Sequence, residues 1–181
     1  MSKASLVIVL AEDRMTQDFV RGYLHKLSYS NHDIRFEDVS AGKRGAGEQW
    51  VRDRYVATIA AYRHRAKKAS TMAVIVVDAD TKTVEQRLSQ LAKALHPNAV
   101  KPEEKIAHLV PKHSIETWIL CLSGTEVDED TRYKKTSGNP QPSQARLAAP
   151  IFFDWSRPNA TIPETCIPSL QRACAEVRRL E

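Results

Sequence analysis

Asp78 and Asp80 stand two residues apart, directly after the apolar run Met72-Ala73-Val74-Ile75-Val76-Val77. Side chains alternate along a strand, so this spacing puts both carboxylates on one side of an extended chain. Two ionised carboxylates held together repel each other unless a proton or a cation sits between them. A hard divalent ion suits that place, because Mg²⁺ takes oxygen ligands and keeps several waters. Glu12 follows a second apolar run, Leu6-Val7-Ile8-Val9-Leu10, and Glu116 falls on the first turn of a helix expected after Ile106-Ala107-His108-Leu109-Val110. Carboxylates converging from these segments would make a Mg²⁺ or Mn²⁺ site, and such an ion can activate water for hydrolysis, that of phosphate esters included. Lys112 would offset negative charge on the scissile phosphate, and His113 could move protons. The competing reading makes the Asp pair a cap on the following helix, Lys112 a surface lysine and His113 a solvated helix end. Asp13 reads as the N-cap of the helix that starts near Thr16.

Placing these residues requires an ordered set of elements. Continuous apolar runs of five or six residues read as buried strands of a parallel sheet. Phe19, Val20, Tyr23, Leu24 and Leu27 have helical spacing over 16–27. Asp33 to Val39 alternates and reads as another strand, and a long helix is expected from about Glu48 to Lys68 with Tyr55, Ile59 and Tyr62 inward. A helix over 83–96 follows the Asp-Ala-Asp strand, and one over 114–122 follows Pro111. Strand and helix alternate four times, the pattern of a mostly parallel four-stranded α/β sheet flanked by helices. In such sheets ligands collect outside the carboxyl ends of the strands, which is where Glu12, Asp78 and Asp80 fall.

Residues 1–123 therefore read as one α/β domain and 124–181 as a C-terminal extension. The extension opens with a polar stretch, Val127 to Pro142. A short helix over 143–149, an aromatic patch Phe152-Phe153-Asp154-Trp155 and a last helix over 168–180 complete it. The aromatic patch and the last helix are candidate docking elements for a partner.

The chain has 181 residues, is 42% hydrophobic and carries a net charge of +5 from 27 Lys and Arg against 22 Asp and Glu. That basic excess is compatible with nucleic acid as a partner and equally with ordinary solubility charge. Lys43 and Arg44 lie in a Gly-rich loop, Ser40 to Gly47, and Arg52 begins the basic side of the helix after it. These three are the candidate phosphate contacts. The loop lacks the Gly-Lys-Ser/Thr that a phosphate-binding loop places at a helix start. No apolar stretch is long enough for a membrane span, and no signal peptide is expected ahead of the first strand. Cys121, Cys166 and Cys174 lie in or near apolar segments and suggest reduced thiols in the cytoplasm. No CxxC occurs, so structural zinc is not expected.

The order of these motifs resembles the Toprim domain of topoisomerases, bacterial primases, small nucleases and the OLD family. An apolar strand leads to a Glu in a loop, and a later apolar strand ends in Asp-x-Asp. The segment His108-Leu109-Val110-Pro111-Lys112-His113-Ser114-Ile115-Glu116-Thr117-Trp118 is similar to one in small stand-alone Toprim-like proteins of prokaryotic defence islands. The tail Ile167-Pro168-Ser169-Leu170 is similar to theirs as well. RloB-like proteins, which accompany ATPases of the ABC/SMC type, are the nearest comparison. The resemblance covers about residues 5–123 and, more weakly, the tail. It implies Glu12 as general acid/base or metal ligand, Asp78 and Asp80 as the metal pair, and Glu116 as a looser match to a further ligand. It implies a Mg²⁺-dependent nuclease of an anti-phage system. The alternative is a non-catalytic subunit docked on an ABC/SMC-type ATPase, and a third reading is a phosphatase or nucleotide hydrolase. Topoisomerases carry a nucleophilic Tyr on a further domain for which these residues leave no room, so strand passage is not expected.

Overall fold

A computed structural model describes residues 3–37, 47–133, 140 and 142–180, with the side chains of 47–52 left out of the description. Within it, four parallel strands form one sheet in the order β2-β1-β3-β4. The strands are β1 (Leu6–Leu10), β2 (Ile34–Phe36), β3 (Thr71–Val76) and β4 (Ile106–Leu109), and the helices are α1 (Arg14–Lys26), α2 (Gly47–Ala66), α3 (Val84–Ala94), α4 (Ile115–Leu122), α5 (Pro142–Ser156) and α6 (Pro168–Arg178). The α/β, all-parallel architecture is the one the apolar runs imply.

The strands are apolar throughout because both faces of the sheet are covered. Val7, Val9, Met72, Val74, Val76, Ala107 and Leu109 face one core, shared with Phe19, Tyr23, Trp118, Phe152 and Leu170. Ile8, Leu10, Ala73, Ile75, Val77 and Ile106 face the other, shared with Tyr55, Ile59, Tyr62 and Leu91. Helices α1, α4, α5 and α6 thus cover one face, and α2 and α3 the other.

The C-terminal helices are internal. Phe152 packs against Phe19, Tyr23 and Trp118 with ring centroids 5.1 to 6.4 Å apart, and Leu170, Ala173, Cys174 and Val177 of α6 are buried in the same core. Phe152 of the aromatic patch and the apolar stripe of α6 are therefore part of this chain's own core, while Phe153 and Trp155 are only partly buried. The short helix expected to stop at Ala149 runs on to Ser156 through Pro150. Proline removes one helical hydrogen bond, but Ala145, Ala148, Ala149, Phe152 and Ser156 form one buried stripe that only a continuous helix provides.

Helix α6 also closes the outer edge of β4. Glu176 Oε1 accepts the His108 N–H at 3.2 Å, and Arg179 donates to the Ile106 carbonyl. An exposed edge strand invites pairing with other chains, and charged groups seated on it prevent that. On the α2 face His108 Nε2 meets the Tyr55 hydroxyl at 2.9 Å. Burial holds the imidazole down to about 4, so it is neutral in the fold.

The basic side expected on α2 is partly structural. Arg63 forms a two-pronged pair with Glu104 at 2.6 and 2.8 Å and donates to the Asn98 and Ala99 carbonyls.

Candidate active site at the carboxyl edge of the sheet

Strand order reverses between β1 and β3: the chain leaves β1 for β2 on one side and leaves β3 for β4 on the other. The carboxyl ends of such a central pair frame a crevice where open α/β sheets bind ligands. Leu10 pairs with Ile75, so Glu12 follows β1 at the level where Val77 and Asp78 follow β3. Adjacent strands lie about 4.8 Å apart. The pairing of β3 with β4 continues past the strand, with Val77 N–H bonded to Leu109 O at 3.2 Å and Ala79 N–H to Pro111 O at 2.8 Å. The loop carrying Lys112 and the start of α4 are thereby fixed beside the Asp-Ala-Asp segment.

Each acidic segment has its own local cause. Asp13 Oδ1 accepts Thr16 N–H at 2.8 Å and caps α1 as its position suggests. Glu12, one place earlier, is half-buried with its Oε2 inside. For α3 the cap is Thr83, whose hydroxyl accepts Gln86 N–H at 3.1 Å while the Gln86 side chain accepts Thr83 N–H at 2.9 Å. That reciprocal box satisfies the helix start, so the reading of Asp78 and Asp80 as its cap is set aside. The expectation that strand alternation aligns the two carboxylates holds only as far as Ala79, which lies in the α2–α3 core. Asp80 has φ +55°, a left-handed turn that Asp tolerates better than most residues.

Arg87 holds this turn from beneath. It is fully buried, its Nε donates to Asp78 O at 2.9 Å and its Nη2 to Ala79 O at 3.2 Å, and Nη1 reaches Gln90. The main chain between the two acids is thus hydrogen-bonded on one side to the segment after β4 and on the other to a buried guanidinium. Arg132, from the loop before α5, lies 3.0 Å from Asp80 Oδ1. Lys112 Nζ donates to the Lys82 carbonyl at 2.8 Å and ties the loop after β4 to the loop after β3.

The start of α4 is the least satisfied part of this edge. Ser114, Glu116 and Thr117 are 2%, 6% and 4% exposed. Ser114 Oγ, Glu116 Oε2, Thr117 Oγ1 and the neighbouring His113 Nδ1 are buried with no hydrogen-bond partner among the described residues. Leaving one buried polar group unpaired costs about 1–3 kcal/mol, and such clusters call for water, an ion or a ligand.

All five residues singled out for catalysis (Glu12, Asp78, Asp80, Lys112 and Glu116) therefore belong to loops or helix starts at one edge. Among the described residues, no group of three or more His, Cys, Asp or Glu side chains lies close enough together to hold a metal ion. Lys43 and Arg44 lie outside the described residues, as does the side chain of Arg52. Sequence reasoning missed Arg87 and Arg132. Arg87 left a signal, since it occupies the inward stripe of α3 between Val84 and Leu91. Arg132 left none, as it lies in a polar loop.

No protein-family model matches this chain, and no curated protein or solved structure shows a significant match to it.

Proposed function

We propose that this edge binds Mg²⁺ or Mn²⁺ and hydrolyses phosphodiester bonds of nucleic acid. The observation that carries the reading is that Glu12, the Asp78-Asp80 turn and buried Glu116 each follow a strand at the carboxyl edge of an all-parallel sheet, Glu12 and the turn flanking its switch point. The partnerless Glu116 Oε2 is what an oxygen-seeking cation would complete. One or two of these carboxylates with waters filling the remaining positions match the habit of Mg²⁺, which does not need an all-protein cage. When bound, the ion supplies charge stabilisation and acidifies water. The residues do the rest: Lys112 and Arg132 bring positive charge to the edge where a phosphate would sit, and Glu12 is the candidate to take a proton.

The Toprim resemblance supports the same activity and a role in anti-phage defence. The three free, buried cysteines suit the cytoplasm. Among the described residues no helix is long and apolar enough to cross a membrane. An ABC/SMC-type ATPase partner rests on the resemblance alone.

The test is cleavage of plasmid, single-stranded DNA and tRNA with Mg²⁺ or Mn²⁺, comparing the wild type with Asp78→Ala. Cleavage that depends on metal and disappears in the variant supports the reading. Cleavage undiminished by the substitution removes the site. Activity confined to small phosphate esters assigns the phosphatase class instead.

A further inference from the structure

Helices α1 and α5 touch closely at Gly22, where a β-carbon would lie 2.7 Å from Ala149 Cβ. Beside that contact a groove of about 670 Å³ opens toward β2, with Arg21, His25, Lys26, Arg146, Asp18 and Phe36 on its walls. Three permanent cations face one carboxylate. Asp18 is shared by Arg21 at 2.8 Å and Arg146 at 3.4 Å, so the surplus stays positive. The Arg21 guanidinium lies over the Phe36 ring, 4.6 Å from its centroid, which fixes its plane. The groove also has a direction. Arg14, Asp18, Arg21 and His25 recur at i, i+4, i+7 and i+11 and so share one face of α1. That face starts two residues after Glu12 and runs away from the carboxyl edge for about 16 Å at 1.5 Å per residue.

We infer that this groove binds the phosphate backbone of a single-stranded nucleic acid and leads it to the acidic edge. The inference rests on the phosphodiesterase reading for what happens at the end of the groove, but not for binding itself. Arg21 and Lys26 from α1 and Arg146 from α5 line the groove from two walls, so the phosphates of one strand lying in it would meet cations on both sides. Guanidinium and ammonium groups along a track are the usual means of holding such a backbone without reading bases.

The test is anisotropy of a labelled single-stranded oligonucleotide titrated with wild type and with the double variant Lys26→Glu/Arg146→Glu, in EDTA. Lys26 is exposed, and the Arg146 side chain is 68% exposed, so circular dichroism should show an intact fold. Binding is expected to weaken about tenfold or more, and the slope of log K against log salt to flatten by about 1.4 for two lost phosphate contacts. Should the double reversal unfold the chain, Lys26→Gln/Arg146→Gln read by the same slope decides. Equal affinity of variant and wild type, no binding by wild type, tighter binding of duplex than of single strand, or equal competition by polyglutamate each overturns the inference. EDTA separates the two claims: absent Mn²⁺ uptake in calorimetry of the same wild type defeats the metal site and leaves the groove standing.

Discussion

Arg132 and Asp80 form an ion pair of 3.0 Å across the carboxyl edge, joining the loop before α5 to the turn after β3. Arg132 thus supplies the positive charge that a cation would bring to the same carboxylate. The two compete. Both side chains are nearly half exposed, and exposed pairs are worth about 0.2–1 kcal/mol. Arg132→Ala is therefore expected to tighten Mn²⁺ binding by up to about 5-fold in calorimetry, with reduced cleavage if Arg132 also meets the phosphate. Weaker metal binding in this variant would show that Arg132 props the site rather than competing for it.

Glu116 offers a separation of stability from function. Its buried Oε2 gains nothing from a protein partner, so replacing it with an apolar side chain of similar size removes an unsatisfied group. In EDTA, Glu116→Leu should melt at or above the wild-type temperature. Mn²⁺ at about 100 times its dissociation constant should stabilise the wild type by about 2.7 kcal/mol, and the variant should lose most of that response. A large drop in melting temperature without metal would assign Glu116 a structural role.

Arg87 is the counterpart, a residue whose loss should harm the fold first. Arg87→Met would leave the Asp78 and Ala79 carbonyls without their buried donors, a loss of about 2–4 kcal/mol by the cost of unpaired buried groups. Arg87→Lys should not rescue it, because one ammonium cannot reproduce the fork. Urea denaturation of both variants measures this, and near-wild-type stability of Arg87→Met would show that the turn holds its shape unaided.

His108 sets a pH dependence. Burial lowers its folded value from 6.5 to about 4. Between those values the unfolded chain takes up a proton that the folded chain refuses, so stability present above pH 6.5 is lost as pH falls toward 4. The difference corresponds to about 3 kcal/mol at 1.36 kcal/mol per unit. Thermal melts from pH 7.5 to 4.5 should fall in the wild type and stay flatter in His108→Gln. Burial raises the Glu176 carboxyl, but hydrogen bonds from Arg179 and the His108 N–H outweigh it and keep the group below the usual carboxylate range. Parallel curves for the two proteins would remove His108 as the cause.

Much of the frame was legible in the linear chain. Leu6–Leu10, Thr71–Val76 and Ile106–Leu109 are unbroken apolar runs because each is covered on both faces, and a run of that kind identifies itself. Strand ends then follow, and with them the edge on which Glu12, Asp78 and Asp80 lie. The cap role of Asp13 was equally local. The extent of α5 was not: the sequence reads as a short helix over 143–149, and only the buried stripe from Ala145 to Ser156 against α1 and α4 explains why the helix continues through Pro150.

The sequence by itself determined the alternation of elements, the acidic residues at strand ends and the inward faces of α1 and α2, since each depends on neighbours within a few residues. Only the tertiary structure decided that α6 seals the edge of β4, that Arg87 props the Asp-Ala-Asp turn, that Arg132 reaches Asp80 from 52 positions away, and that Phe152 of the tail fills the core. These depend on which surfaces meet after folding. Local spacing carries no record of that, because contact free energy between distant segments is set by complementary shape and charge rather than by position along the chain.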